Sequence, residues 1–279
     1  MLRIAVPNKG SLSETANQML AEAGYALRRD VKQLVYTDSA NNVEFFYLRP
    51  RDIATHVGLG AVDVGITGRD LLLDSDSSAF EVTSLDFARS TFRFAAPVGE
   101  YTDITQLEGL RIATSYPQLV HNFLQTHGVT AILVKLEGAV ESAVRLGVAD
   151  AIADVVETGA TLRAAGLEVF GPVILESSAI LISAPEQANG LETLLRRLRG
   201  VLVARQYVIM DYDLPSEKLD EAVQLAPGIE SPTISPLRDE RWVAVRVMIP
   251  RHEANRMMDN LYELGARAIL VTAIHAARL

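Results

Sequence analysis

Apolar and polar positions along the chain switch between short strand-like runs and helical spacing in a repeated order. The stretches LRIAVPNKG at 2–10 and LRIATSYPQ at 110–118 each predict a strand, a loop and the start of a helix. Each is followed by Gly-x-x-Asp on an apolar strand that ends in Thr-Gly, at 60–68 and at 147–159. Any α/β protein can show echoes of this length, but the shared order predicts two similar α/β lobes. Paired lobes commonly bind ligands in the cleft between them.

The pattern changes after residue 185. LETLLRRLRGVLVARQ at 191–206 has apolar residues at helical spacing, and the segments beyond it predict the order β-α-β-β-α-β. That order is the ferredoxin-like arrangement, which as an appended unit is more often regulatory or oligomerising than catalytic. The predicted division is 1–90 with 185–206 as the first lobe, 91–184 as the second lobe, and 207–279 as a C-terminal regulatory domain.

Composition narrows the function classes. The 279 residues are 49% hydrophobic and 22% charged, which is ordinary for a soluble globular enzyme. The absence of cysteine excludes disulfides, thiolate nucleophiles and cysteine-based zinc sites. A net charge of −9 disfavours non-specific nucleic-acid binding. The N-terminus has no apolar run of signal-peptide length, and the most apolar late stretch is broken by Pro172 and Glu176, so we expect a cytoplasmic protein without a membrane span.

Familiar catalytic and metal-binding motifs are absent. The five histidines show no metal-ligand spacing. DSDSS at 74–78 begins like a calcium loop, but Leu85 stands where the loop needs a bidentate glutamate. We therefore expect 74–78 to be a solvated acidic loop, and the sequence assigns no residue as a metal ligand.

A turn of small residues and hydroxyls follows the strand that contains Asp154. Free N–H groups at the start of a helix, with the hydroxyls of Thr158 and Thr161, suit a phosphate monoester, and Gly159 lets the backbone approach it closely. Asp154 could then accept hydrogen bonds from sugar hydroxyls. This pattern favours a sugar phosphate as ligand. The alternative is that Thr158 only caps a helix and Asp154 is solvated.

Basic and aromatic residues also follow predicted strands. Lys9 follows the first strand, and Arg49 and Arg51 follow VEFFYL at 43–48. Strand ends of α/β lobes face the ligand crevice, so these cations could contact a diphosphate. For Lys9 and Arg49, contact with a ligand and an ordinary surface position are equally favoured. For Arg51, an ordinary surface position is favoured. Tyr116, at the matching strand end of the second lobe, could stack on a planar base.

Several of these stretches together resemble one family. Lys9-Gly10, LRPRDI at 48–53, DVGITGRD at 63–70, ATSYPQL at 113–119 and ESAVRLGVADAIADVVETGATLRAAGL at 141–167 are similar to the ATP phosphoribosyltransferases of histidine biosynthesis. The chain departs from that family at Val144, where proline is usual, and at Ser11, where arginine is common.

The resemblance extends to the C-terminal unit. MDYDLP at 210–215 and ESPTISPL at 230–237 are similar to the extra domain of the long form of this family, which binds histidine as a feedback inhibitor. It implies two periplasmic-binding-protein-like α/β lobes with a central cleft plus a ferredoxin-like regulatory domain. It also implies homo-oligomers (dimers and hexamers), no separate regulatory subunit, and histidine contacts at Asp213 and Thr233.

The resemblance further implies a reaction. Adenine N1 of ATP attacks C1 of phosphoribosyl diphosphate, and magnesium-bound diphosphate leaves. The implied 5-phosphate contacts are Thr158, Gly159, Ala160 and Thr161. The resemblance also implies that Asp154 binds the ribose hydroxyls and that Glu141 supports the ribose ring or the sugar. It implies that Lys9 and Arg49 contact the diphosphate and that Tyr116 packs on the base. Mg²⁺ is the implied cofactor, and it explains how an acidic protein accepts two polyanions.

Two other functions stay open at this point. A base-salvage phosphoribosyltransferase also surrounds its sugar phosphate with a stretch like VVETGATL, but it usually carries two adjacent acids before that loop. A two-lobed solute-binding protein would have an export signal and gives no reason for the C-terminal unit.

Overall fold

The computed structural model describes residues 1–28, 30, 32–156, 159–184 and 188–278, with the backbone alone at Ser11. Its contacts define two compact units. One comprises Met1–Gln18 and Tyr25–Leu191, and the other comprises Met19–Gly24 and Glu192–Leu279.

The elements follow the order that the hydrophobic pattern predicts. The strands of the first unit are β1 Leu2–Pro7, β2 Val35–Asp38, β3 Val43–Leu48, β4 Val64–Gly68, β5 Phe80–Ser84, β6 Ser90–Pro97, β7 Arg111–Thr114, β8 Ile132–Lys135, β9 Ala151–Val156, β10 Leu167–Ser177 and β11 Ala179–Ser183. The strands of the second unit are β12 Tyr207–Pro215, β13 Thr233–Pro236, β14 Trp242–Pro250 and β15 Arg267–Ala273. The helices are α1 Ser11–Glu22, α2 Pro50–Gly58, α3 Arg69–Asp74, α4 Pro117–Thr126, α5 Ala160–Ala164, α6 Leu191–Gln206, α7 Leu219–Leu225 and α8 Ala254–Leu264.

The first unit contains two sheets of the same design. One has the strand order β2-β3-β1-β4-β11-β5, and the other has the order β10-β6-β9-β7-β8. In the first, β1 lies parallel to β3 and β4; in the second, β7 lies parallel to β8 and β9. Parallel strands end at the same edge of their sheet, so the loops after them are brought together there. These are two periplasmic-binding-protein-like α/β lobes, as predicted.

The repeated Arg and Gly-x-x-Asp positions form the same ion pair in each lobe. Asp63 accepts hydrogen bonds from the backbone N–H of Arg3 at 2.7 Å and from its Nη2 at 2.6 Å. Asp150 accepts from the N–H of Arg111 at 2.9 Å and from its Nη2 at 2.6 Å. The hydrogen bonds from Arg111 hold the pKa of Asp150 below its usual value. The repeated motifs in the sequence thus encode the same arginine–aspartate ion pair in each lobe.

Two segments lie elsewhere than the predicted boundaries put them. β11, inside the range 91–184 assigned to the second lobe, pairs with β4 and β5 of the first sheet. Residues 192–206, assigned to the first lobe, cluster with the C-terminal unit. An apolar strand or an amphipathic helix carries no signal in its own sequence for the element against which it packs.

The sheet of the C-terminal unit has the order β13-β14-β12-β15, which with α7 and α8 is the predicted ferredoxin-like arrangement. The residues of β12 alternate between half-buried and buried along the whole strand. The buried positions, Met210, Tyr212 and Leu214 among them, pack in the core of this unit, and the opposite face of β12 is more accessible. Within the described part of the chain, no helix is long and apolar enough to cross a membrane.

The core of this sheet contains a buried hydroxyl that predicts a stability change. Burial raises the pKa of Tyr212 to about 12, and its hydroxyl has no hydrogen-bond partner among the described residues. Because Tyr212→Phe removes a desolvated, uncompensated polar group, we expect the free energy of unfolding to rise by about 1 kcal/mol. Urea unfolding measures the change.

Tyr262→Phe is the matched control for that substitution, because the Tyr262 side chain is 60% exposed. We expect its midpoint to match that of the unsubstituted protein. A clear loss of stability in Tyr212→Phe would show that the Tyr212 hydroxyl is hydrogen-bonded, and would contradict the prediction.

Candidate active site

A cluster of acids, one tyrosine and one arginine lies where strand ends of the two lobes meet. Asp70 follows β4 and Arg51 follows β3 in the first lobe, while Tyr116 follows β7 and Asp154 lies near the end of β9 in the second. The pKa of Asp154 responds to the charges of Asp70 and Arg51, and Arg51 contacts Tyr116 directly. The strand ends therefore form the cleft that the two-lobe pattern predicts.

Asp154 is a carboxylate in an unfavourable environment. Burial raises its pKa, and the negative charges of Glu141 and Asp70 raise it further. The backbone N–H of Val155, 2.8 Å from Oδ1, and the charge of Arg51 oppose that rise in part. A carboxyl held this way gains from a ligand that supplies hydroxyl donors or positive charge. Sugar hydroxyls, which the sequence predicts as partners of Asp154, are donors of this kind.

Glu141, which the resemblance implies at the ribose ring or the sugar, lies on a 3-10 turn at Val140–Ser142. Its charge is among the causes of the raised pKa of Asp154. The structure therefore brings these two predicted residues close enough to interact electrostatically.

Tyr116 is held by three neighbours. Its ring packs edge-on against Phe92, with 5.1 Å between ring centroids. The guanidinium carbon of Arg51 lies 4.8 Å above the ring centroid, within the range of a cation–π contact. Burial raises the pKa of the Tyr116 hydroxyl, and so do the charge of Asp70 and a hydrogen bond to its carboxylate. One face of the ring that was expected to stack on a base thus carries the Arg51 guanidinium.

Asp70 was not among the residues predicted from the sequence. It is 8% exposed and lies in the first turn of α3. Ser177 donates from Oγ to Asp70 Oδ1 at 2.8 Å, and the same Oγ accepts from the Asp70 backbone N–H at 3.1 Å. A signal for it was present, because Asp70 follows the Thr-Gly of the first lobe just as Thr161 follows the Thr-Gly of the second.

Arg51 belongs to the cleft, although the sequence favoured an ordinary surface cation. Its Nη1 donates to Oδ2 of Asp74 at 3.0 Å. Asp74, expected to lie in a solvated acidic loop, ends α3, and its side chain is only 9% exposed. No local pattern could indicate this, because the partners of Asp74 come from α2 and from the other lobe.

Lys9 and Arg49 lie at the same sheet edge as Arg51. β1 and β3 pair in register up to Pro7 and Leu48, and the N–H of Asn8 donates to the carbonyl of Leu48 at 2.8 Å. The two cations follow directly, and both are exposed. Lys9 borders a groove that Arg28 also lines. Within the described residues, the structure shows no contact of Lys9 or Arg49 with the acid cluster.

The predicted phosphate turn is described from Gly159 onward, and Thr158 lies outside the described residues. Gly159 is the N-cap of α5 with φ +68°, a backbone conformation that favours glycine. Ala160 and Thr161 form the exposed first turn of α5. A Cβ built on Gly159 would lie 3.1 Å from Nη1 of Arg163, so this guanidinium, which the sequence analysis missed, borders the turn.

In the C-terminal unit, Asp213 and Thr233 share the face of the sheet opposite the buried core. Asp213 pairs with Ala244 and Thr233 with Arg246, so β14 separates them. Arg246 lies on the same face and donates from Nε to Oδ1 of Asp211 at 2.7 Å. The two residues predicted to bind histidine therefore flank one strand without contacting each other.

The described residues do not form a metal site of their own. No group of three or more histidine, aspartate or glutamate side chains among them is arranged to hold an ion. Asp70 instead accepts a hydrogen bond from Ser177, and Asp154 accepts one from the backbone N–H of Val155.

The raised pKa of Asp154 predicts how stability depends on pH. A carboxyl whose pKa is higher in the folded than in the unfolded protein contributes stability below its unfolded value of about 4, and loses it as pH rises through the folded value. Asp154→Asn removes the ionisable carboxyl and with it the loss of stability at higher pH. We expect the variant to be more stable than the unsubstituted protein at neutral pH, with the difference disappearing below about pH 4. Urea unfolding across that pH range measures it.

Asp150→Asn is the control of opposite sign, because Arg111 lowers the pKa of Asp150. A lowered pKa contributes stability above the unfolded value, so this variant is expected to be less stable at neutral pH and equal at low pH. If both substitutions destabilise the protein at neutral pH, the environment assigned to Asp154 is wrong.

Comparison with known proteins gives one consistent family. The family model described as ATP phosphoribosyltransferase matches residues 49–200, and the one described as HisG, C-terminal domain, matches residues 204–276. ATP phosphoribosyltransferases of Arthrobacter sp. (strain FB24) and Streptomyces coelicolor are 62% and 59% identical to this chain over 100% of both sequences.

A solved structure agrees with these sequence relatives. The ATP phosphoribosyl transferase (HisG:HisZ) complex from Thermotoga maritima contains a chain that is 27% identical, with a TM-score of 0.64 over 72% of this chain and 98% of that one. With a family model that matches more than half of its length and relatives of high identity from end to end, this chain belongs to the ATP phosphoribosyltransferase family.

Proposed function

We propose that this chain is an ATP phosphoribosyltransferase: it joins adenine N1 of ATP to C1 of phosphoribosyl diphosphate and releases diphosphate. The bond from N1 to C1 forms, and the bond from C1 to the diphosphate oxygen breaks. The observation that carries the proposal is the match at 49–200, because that range contains the whole cluster of Arg51, Asp70, Tyr116, Glu141 and Asp154. End-to-end identity of 62% to a protein named for this activity supports the same conclusion.

The acids of the second lobe suit the sugar. As the C1–oxygen bond breaks, positive charge develops on the ribose ring, and preorganised negative groups stabilise it. The charge of Glu141 is among the causes of the raised pKa of Asp154, and burial strengthens the field of Asp154. In our proposal Asp154 accepts hydrogen bonds from the ribose hydroxyls, and Glu141 supports the ring. Gly159, Ala160 and Thr161, with Thr158, hold the 5-phosphate.

The cations of the first lobe suit the diphosphate. Lys9 and Arg49 are exposed at the carboxyl ends of paired strands. To these we add Arg51, whose guanidinium donates one hydrogen bond to Asp74 and, among the described residues, leaves its other N–H groups for an anion. A planar guanidinium binds phosphate oxygens through two N–H groups at once. Tyr116 remains our candidate for contact with the base, through whatever part of its ring Arg51 and Phe92 leave accessible.

In this proposal Mg²⁺ is bound by the substrate and is not held by a site of the protein alone. The described residues do not form a ligand set for a resident ion. Magnesium usually keeps several waters and binds through substrate phosphates. In this proposal Mg²⁺ arrives on the diphosphate and leaves with it, while Lys9, Arg49 and Arg51 supply the protein's positive charge.

Regulation belongs to the C-terminal unit in this proposal. Residues 204–276 match the C-terminal domain of the same family, and Asp213 offers a carboxylate with no partner among the described residues on the more accessible face of the sheet. We propose that Asp213 and Thr233 bind histidine as feedback inhibitor, and that the enzyme is a cytoplasmic homo-oligomer (dimer or hexamer).

Turnover tests the reaction and its site together. With ATP, phosphoribosyl diphosphate, Mg²⁺ and pyrophosphatase, we expect the absorbance of the N1-substituted adenine to appear. Asp154→Ala and Thr161→Ala should abolish product formation while leaving the fold intact. The first substitution removes the carboxylate that contacts the sugar, and the second removes a hydroxyl that donates a hydrogen bond to the 5-phosphate. Far-ultraviolet circular dichroism checks the fold.

Asp63→Ala is the control, because it removes an ion pair of the first lobe outside the cleft, and turnover should persist. Full activity of both site variants would contradict the site. Product from a free base in place of ATP would indicate a salvage enzyme, and ligand binding without turnover would indicate a solute-binding protein.

Histidine inhibition tests the C-terminal assignment. We expect added histidine to suppress turnover, and Asp213→Asn and Thr233→Ala to raise the half-inhibitory concentration by about tenfold each, as loss of a hydrogen bond to a charged ligand does. Basal turnover should not change. Asp239→Asn, in the exposed pair of Asp239 with Arg241, is the control. Unaltered inhibition in both variants would place the inhibitor elsewhere.

A further inference from the structure

Asp74 joins the two lobes through a single carboxylate. Its Oδ1 accepts hydrogen bonds from the backbone N–H groups of Gln118 at 2.9 Å and Leu119 at 3.2 Å, in the first turn of α4 in the second lobe. Its Oδ2 accepts from Nη1 of Arg51 at 3.0 Å, in the first lobe. With the side chain 9% exposed, these contacts are largely shielded from water.

The helix α4 has no cap from its own chain neighbours. Its N-cap residue is Tyr116, whose side chain makes no capping hydrogen bond, and Pro117 has no N–H to offer. The N–H groups of Gln118 and Leu119 would otherwise lack protein acceptors, as the first N–H groups of a helix do. An acid from α3 supplies the acceptor across the cleft, and negative charge is favoured at that helix end.

The same carboxylate controls where Arg51 lies. Asp74 uses only one N–H of the guanidinium, whose carbon lies 4.8 Å above the ring of Tyr116, the residue just before α4. The helix end, the arginine and the tyrosine ring are therefore fixed relative to one another by one group. The ion pairs Arg3–Asp63 and Arg111–Asp150 differ, because each lies within one lobe and takes both backbone and guanidinium hydrogen bonds.

We infer that Asp74 is a positioning residue of the reaction: it joins the lobes at α4 and holds the Arg51 guanidinium over Tyr116, ready for the anionic part of the substrate. The inference rests on the proposed function for the substrate that Arg51 meets. It assigns to Asp74 no contact with that substrate. Its effect on turnover therefore passes through Arg51 and through the contact between the lobes.

A double-mutant cycle on kcat/KM tests whether Asp74 acts through Arg51. We expect Asp74→Ala and Arg51→Ala each to lower kcat/KM by on the order of 10-fold to 100-fold, as small displacements of positioning groups do. The double variant should lose less than the product of the two single losses, because residues in contact are not additive. Losses that multiply would overturn the inference. Asp63→Ala, which breaks an ion pair within the first lobe, is the control with unchanged kcat/KM.

Amide hydrogen exchange tests the link between the lobes directly. In Asp74→Ala the N–H groups of Gln118 and Leu119 should exchange faster, and in Asp63→Ala they should not. Asp74→Asn keeps an acceptor oxygen but loses the charge, so we expect it to restore the protection of these N–H groups and only part of kcat/KM. Unchanged exchange at both positions in Asp74→Ala would overturn the inference. Absence of turnover in the unsubstituted protein would instead contradict the proposed function, and exchange would still decide the role of Asp74.

Discussion

The repulsion among carboxylates in the cleft is the constraint around which the site is built. Burial raises the pKa of Asp154, and Glu141 and Asp70 lie close enough for their charges to raise it further. Ser177 donates a hydrogen bond to Asp70, and burial and the charge of Asp70 raise the pKa of the neighbouring Tyr116 hydroxyl. The local hydrogen bond to Asp154, from the N–H of Val155, does not offset its burial. A site left in this state is stabilised by a ligand with donors or positive charge.

The scaffold that holds these acids is the same in both lobes. Parallel strands end at one edge of each sheet, and an arginine at the start of β1 or β7 pairs with the aspartate that precedes β4 or β9. The ion pair lies at the start of the strand, at the edge of the sheet opposite the far end that carries the functional residues. In the first lobe that end leads to Asp70, and in the second it leads through Asp154 to Gly159. The two lobes thus have similar local folds but place different functional groups in the cleft, because the residues at and after the strand ends differ.

The sequence predicts those features of the fold and the site that depend on residues close together in the chain, and it does not predict contacts between distant segments. The two lobes, the C-terminal sheet and the place of Asp154 at a strand end follow from hydrophobic spacing and a repeat, which are local. Asp70 could have been found from the same repeat, since it follows the Thr-Gly of the first lobe. Arg51 and Asp74 could not, because their partners are fixed by the approach of two lobes. The sheet to which β11 belongs was likewise hidden, since an apolar run fits either core.

The charges in the cleft are divided between the lobes, and this division explains why the approach of the lobes matters. Lys9, Arg49 and Arg51 belong to the first lobe, while Glu141 and Asp154 belong to the second; Asp70, the acid of the first lobe, is already hydrogen-bonded. When a diphosphate leaves C1 of a ribose, negative charge moves to the diphosphate and positive charge stays on the ring. A substrate that spans the cleft would separate these charges along the direction from the second lobe to the first, toward complementary groups at each end. The energy of that interaction falls with distance, so a contact that fixes the spacing of the lobes also fixes how strongly both ends act. Asp74 provides that contact without lying at either end.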